Sequence, residues 1–241
     1  MRRYIRVLPL LVAVLALALG AAATDGRADD DEDQVSQSSF EHAKIIIEFN
    51  STDSDVGIQA FLGRPSWEVV EIVSPDGRKV FHVDRGSLKE LGMNEVSFES
   101  EEPSLDDLPL EQLLALFPEG EYKFLGKTVE GDELVSTATL THDIPDAPHI
   151  VSPAEGTVNP NNAAIKWNPV VSPPGIEIIG YQVTVEREDP PRVLSADVPP
   201  KSTSFTVPAD FLEPGTEYKF EVLAIEVSGN QTITVSSFET E

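Results

Sequence analysis

From Lys44 onward, short apolar runs alternate with turn residues. KIIIEF (44–49), GIQAFL (57–62), WEVVEIV (67–73) and RKVFHV (78–83) are each rich in β-branched or aromatic side chains, which is the pattern of strands. Ser74-Pro75-Asp76-Gly77 between the last two predicts a hairpin connection. A further strand is expected at EVSFES (95–100), and EYKFLGKTV (121–129) and LVSTATLTH (134–142) are expected to pair across Glu130-Gly131-Asp132. One stretch changes period: Leu110, Leu113, Leu114 and Phe117 recur at helical spacing. Ser104 and Asp106-Asp107 offer caps, Pro109 suits the first turn, and Pro118-Glu119-Gly120 stops the run, so one short helix is expected, its leucine stripe plugging the end of a sandwich.

The N-terminus has no strand pattern. Arg2, Arg3 and Arg6 precede an apolar run from Val7 to Leu19 and the small residues Gly20 to Ala23, the layout of a secretory signal peptide over residues 1–23. The run is shorter than a bilayer span needs, and Ala21-x-Ala23 offers a cleavage site, so cleavage is expected rather than anchoring. Residues 24–39 hold the acidic run Asp29 to Asp33 and almost no apolar side chain, which predicts a disordered tether. Pro145 and Pro148 stiffen the segment 142–149 and mark a boundary between a first β domain, 40–144, and a second, 146–241.

The second domain resembles a fibronectin type III domain. Pro148 and Pro153 fall in the entry strand, Ile165-Lys166-Trp167 carries a core tryptophan, and Tyr181, Val183 and Val185 alternate with Gln182, Thr184 and Glu186, predicting one buried and one wet face. Ser204 to Val207 follows, and then Leu212-Glu213-Pro214-Gly215-Thr216-Glu217-Tyr218, which is similar to a tyrosine corner. The loop Val227-Ser228-Gly229-Asn230-Gln231 lacks Arg-Gly-Asp, so integrin-type adhesion does not carry over. Pro190-Pro191 and Pro199-Pro200 bracket the middle connection and are expected to blunt edge strands. The string Glu-Tyr-Lys-Phe occurs twice, at 121–124 and 217–220, each time followed by one more strand. The first domain therefore reads as an immunoglobulin-like sandwich with Tyr122 on its penultimate strand. The fold class is all-β: two tandem sandwiches with one short helix.

Composition narrows the chemistry. Among 241 residues there is no cysteine, which excludes disulfides, thiolate metal sites and cysteine nucleophiles. The formal charge is −25, and the leader carries three of the arginines. Such a surface repels nucleic acid and anionic lipid. Of the four histidines, His42 is expected before the first strand and His82 facing water, while His142, Asp143 and His149 share a proline-rich link that enforces no ligand geometry. Asp53 and Asp55 occupy a turn that could hold calcium, but Gly57 is misplaced for a helix-loop-helix site, so a solvated turn is favoured. Trp67 and Phe61 are expected in a core rather than on a sugar-stacking face. Gly-x-Ser-x-Gly, His-Glu-x-x-His and phosphate-cradling loops are all missing from the sequence. No catalytic, cofactor or metal residue is assigned.

These features point to a non-enzymatic, secreted or periplasmic monomer that presents two sandwiches to an extracellular or envelope protein or glycan, with no nucleic acid partner and no stable membrane insertion. A structural spacer or calcium-stabilised surface protein, and a carbohydrate-binding or degenerate hydrolase accessory module, are the alternatives.

Overall fold

The computed structural model describes residues 37–87, 91–153 and 156–241. The leader (1–23) and residues 24–36 of the expected tether lie outside them. The tether's last residues depart from the expectation of disorder: Gln37–Ser38 forms strand β1, which pairs in parallel with Glu133 and Leu134. Phe40, 5% exposed in the core just beyond, anchors this entry.

In chain order there follow β2 (His42–Asn50), β3 (Asp55–Val73), β4 (Lys79–Asp84), β5 (Met93–Glu99), helix α1 (Leu110–Leu116), β6 (Gly120–Thr128) and β7 (Glu133–Leu140). His42 is the first residue of β2, not a residue before it. The runs expected as separate strands at 57–62 and 67–73 are one long strand, β3. Its first half pairs with β2 and β5, its second with β4 and β6, and the register slips between Gly63 and Trp67. Pro65 lies within this slip, where no ladder partner asks for its missing N–H. The strand thus passes from one layer to the other. Between the layers lie Ile45, Ile47, Ile58, Leu62, Trp67, Val70, Ile72, Tyr122, Phe124, Leu134 and Leu140, with Leu113 of α1 packed against them.

Ser104, Asp106 and Asp107 do not cap α1. Pro109 stands at the N-cap without a side-chain bond, and the Ser104 hydroxyl instead accepts the Asp106 N–H at 3.2 Å in a turn ahead of the helix.

The second half contains β8 (Ile150–Ser152), β9 (Thr157–Val158), β10 (Ala164–Trp167), β11 (Ile178–Arg187), β12 (Arg192–Val198), β13 (Ser204–Thr206), β14 (Glu217–Glu226) and β15 (Gln231–Thr240). One layer is β13-β10-β8 and the other runs β15-β14-β11-β12. Trp167, Tyr181, Val183, Val185, Tyr218, Phe220, Val222 and Phe238 fill the space between. The face of β11 expected to be wet is only partly so: Thr184 is 8% exposed, its hydroxyl 3.3 Å from that of Ser195 on β12.

Both copies of Glu-Tyr-Lys-Phe place the tyrosine inside and return its hydroxyl to the preceding backbone. Tyr122 donates to the Pro118 carbonyl at 3.1 Å. The Tyr218 hydroxyl accepts the Glu213 N–H at 2.8 Å and donates to the Phe211 carbonyl at 3.4 Å. Burial pushes the Tyr122 phenol up to about 12.

Candidate functional site

The residues singled out from the sequence do not converge. Asp53 is exposed and accepts from the Asn50 amide at 3.0 Å, whereas Asp55 is buried at the head of β3, bridged to Ser104. His82 is exposed near Glu71, His149 is exposed, and the His142 ring sits 2.8 Å from the Phe117 carbonyl at the end of α1. Trp67 is 1% exposed, so its indole belongs to the core and offers no sugar-stacking face.

What the chain does build is a junction between the sandwiches. β15 of the second pairs in parallel with β2 of the first, Gln231 to Glu48, Thr232 to Phe49 and Ile233 to Asn50, so that twelve strands of the described residues form a single sheet. Both cores lie on one side of it. Ile45 and Ile47 face the first core, while Ile46, on the opposite face, is also 1% exposed. Leu223 and Ile233, register partners across β14 and β15, are buried on that same outer face.

The loop between β14 and β15 makes the lock. Asn230 is 1% exposed. Its Oδ1 accepts the Ile47 N–H at 2.8 Å, and its Nδ2 donates to the carbonyls of Thr141 and Asp143 at 2.9 and 3.1 Å. A flipped amide would set donor against donor and acceptor against acceptors, so the network fixes its orientation. Thr232 donates to the Pro145 carbonyl at 2.5 Å, pinning the interdomain segment itself. On the other flank the Ser51 N–H reaches the Ile233 carbonyl at 3.0 Å, and the Val235 N–H reaches the Thr52 hydroxyl at 2.8 Å. The turn geometry comes from Glu226, 1% exposed, whose carboxylate accepts the N–H groups of Ser228 and Asn230 at 3.0 and 3.1 Å. Gly229 follows at φ 97°, and a Cβ there would stand 2.5 Å from Cε of Lys44. Burial under this loop lowers the Lys44 pKa, with the Glu226 charge opposing it.

Beside the lock, on the outer face, the carboxylates of Glu48, Glu99 and Glu102 have oxygens within 4.8 Å of one another. Glu48 accepts from the Gln231 amide across the junction, and Gln59 donates to Glu99 at 3.2 Å. Burial pushes the Glu48 carboxyl up to about 7; the Gln231 hydrogen bond opposes this and the charges of Glu102, Glu99 and Glu221 add to it. Sequence reading missed the junction, although three consecutive isoleucines were a signal: a strand with one wet face has no use for the middle one.

A shallow, mostly apolar cleft by α1 is walled by Leu110, Leu114, Ala115 and Pro118 together with Glu111, Glu119 and His142, whose backbone N–H donates to the Glu119 carboxylate at 2.7 Å. No helix among the described residues is long and apolar enough to cross a membrane.

Residues 146–239 match the model of the fibronectin type III domain, in accord with the two-layer strand order and the tyrosine corner of that sandwich. No curated protein sequence matches the chain. Among solved structures it is similar to a two-domain fibronectin type III segment of chicken tenascin, at 12% identity and TM-score 0.32, covering 84% of this chain and 100% of that one. It is also similar to the FN1–FN3 domains of chicken CNTN1, at 14% identity and TM-score 0.31, covering 86% of this chain and 65% of that one.

Proposed function

We propose that this chain is a non-enzymatic exported interaction protein. In this reading an immunoglobulin-like sandwich (40–144) and a fibronectin type III sandwich (146–241) act as one stiff unit toward an extracellular or periplasmic protein or glycan. The observation that carries it is the shared sheet: a chain that served only to join two mobile modules would not bury Asn230, Thr232 and Glu226 at their junction. The fibronectin type III match supports a protein-interaction module. The signal-like segment 1–23 supports export, and the acidic composition argues against nucleic acid as partner.

The test is capture. Full-length chain immobilised at its C-terminus is incubated with envelope and culture-medium fractions of its source, beside an Asn230→Ala variant whose two cores are verified as folded. The expected result is a discrete partner held by the wild type and held less by the variant. Recovery of nothing above background by the wild type would refute the reading. It would favour the second role that a stiff junction suits, a spacer holding its neighbours apart.

A further inference from the structure

The shared sheet ends at β12, and that edge is open. β12 pairs with β11 from Tyr181–Val198 to Arg187–Arg192 in unbroken register, without a bulge. No described strand continues the ladder on its far side. Alternate residues of β12 therefore aim their N–H and C=O groups away from β11, and no described residue bonds them. The other edges are shorter, interrupted or covered. β8 and β13 have three residues each, β1 and β9 two. β4 and β5 each meet β3 across a register slip, and Phe81 stacked on Phe98 at 4.6 Å ties them together. β7 is covered by β1 and by Phe40, whose N–H donates to the Ser136 hydroxyl at 3.0 Å. Lysine and proline are the usual devices that blunt an edge. β12 has neither, because Pro190-Pro191 and Pro199-Pro200 fall outside it and its middle is Val193, Leu194, Ser195 and Ala196.

The two faces beside this edge differ. Leu194, Ala196 and Val198 register with Val185, Val183 and Tyr181 and so face the core; Leu194 and Val198, with Phe205 of β13, are its partly buried rim. On the outer face Val193, Ser195 and Asp197 register with Glu186, Thr184 and Gln182. Val193 is 42% exposed, and Asp197, exposed, accepts from the Gln182 amide at 2.9 Å. The cations beside β12 are engaged elsewhere. Arg192 donates to the carbonyls of Phe211 and Asp210 at 3.1 and 3.2 Å, Arg187 pairs with Glu213 at 2.6 Å, and Lys219 pairs with Glu221 at 2.6 Å. Lys201 lies past the end of the strand. We propose that β12 is a docking edge for an extended segment of a partner protein, which adds one strand to the shared sheet. Its side chains are apolar where they turn to Leu194, Val198 and Phe205, and basic where they turn to Asp197 and, behind Val193, Glu186. An open ladder selects an extended backbone, and unlike faces select the alternation. The formal charge of −25 draws in a basic segment and repels a second copy of this chain. This inference rests on the interaction role proposed above and names the edge that role uses, the rest of the partner meeting the first sandwich.

The test uses the full chain and a capped synthetic peptide of alternating lysine and valine, about eight residues long to match the strand. Its controls are the same peptide N-methylated throughout, which cannot bond a ladder, and one of equal composition with all its lysines before its valines. At saturation the alternating peptide should slow amide exchange at the outward-facing residues of β12 by at least about tenfold, leaving Phe124 and Val222 in the two cores unchanged. Neither control should protect β12. Val193→Lys combined with Asp197→Lys, both at exposed positions, should weaken binding by about tenfold with the near-ultraviolet aromatic signal intact. If that signal is lost, Asp197→Lys alone is used, and weaker binding supports the proposal. Protection at no β12 amide, equal protection by the N-methylated peptide, or undiminished binding by the folded variant overturns it. Asn230→Ala should bind the short peptide as the wild type does, since β12 lies apart from the junction. The two readings fail separately: capture of no partner while the peptide protects β12 removes the role and leaves the edge, whereas a captured partner held equally by the lysine variant keeps the role and overturns the edge.

Discussion

Asn230→Ala should be the most damaging single change outside the two cores. It leaves the Ile47 N–H without its acceptor and releases the carbonyls of Thr141 and Asp143. An orphaned buried N–H costs about 1–3 kcal/mol and each released carbonyl about 1 kcal/mol, giving about 3–5 kcal/mol for the junction. That is a large fraction of a folding stability of about 5–15 kcal/mol. Each core contains one buried tryptophan, Trp67 in the first and Trp167 in the second, so Trp167→Phe and Trp67→Phe variants report on one sandwich at a time. Neither buried indole N–H has a hydrogen-bond partner among the described residues, so these reporter changes break no bond. In urea, both reporters should follow a single transition when the junction is intact. With Asn230→Ala they should separate, the weaker sandwich moving down by about 1–2 M for an m-value of about 2–3 kcal/mol per M. A loss below about 0.5 kcal/mol, or separate transitions in the unmodified chain, would refute the view that this amide locks the two sandwiches together.

Gly229→Ala should destabilise the junction by about 1–2 kcal/mol, since the residue adopts φ 97° above the Lys44 stem; equal midpoint losses in both tryptophan reporters would be its mark. Gly57→Ala displaces Glu102 from above the ladder, and hydrogen exchange at Ile58 and Ser100, whose groups bond one another there, should rise. Tyr122→Phe and Tyr218→Phe should each lower thermal stability by about 1 kcal/mol, with Tyr218 the costlier because its hydroxyl both accepts and donates.

The strands were legible because each sandwich demands alternation from its own segments, and the hydrophobic runs from Lys44 to His142 supply it. The pair of Glu-Tyr-Lys-Phe strings was informative for the same local reason: a tyrosine whose hydroxyl returns a few residues back needs only nearby sequence. Where the expectation failed, the deciding partner was remote. Ser104 and the two aspartates look like caps, yet the turn they make ends before Pro109 opens the helix. Asn230 reads as an ordinary loop residue, since its partners at Ile47, Thr141 and Asp143 are some 90 to 180 positions away. The acidic trio is equally unreadable, because it needs three elements and a bare glycine to bring ordinary surface glutamates together.

The junction also bears on where a partner can touch the chain. The loop from Val227 to Asn230 lies at one end of the second sandwich, and there its polar groups would be free to meet another molecule. Here Asn230 and Glu226 are each 1% exposed and committed to the neighbouring sandwich or to the turn itself, leaving the Val227 side chain outside. Recognition through this loop would therefore require the junction to open, and the energy of that opening would be subtracted from any affinity. Contact through β12, which ends the shared sheet between its two proline pairs, requires no opening. The routes respond differently to Asn230→Ala: a loop-binding partner should bind more tightly to the unlocked chain. A partner that reads both sandwiches in fixed register should bind more weakly, and one confined to β12 should bind equally well.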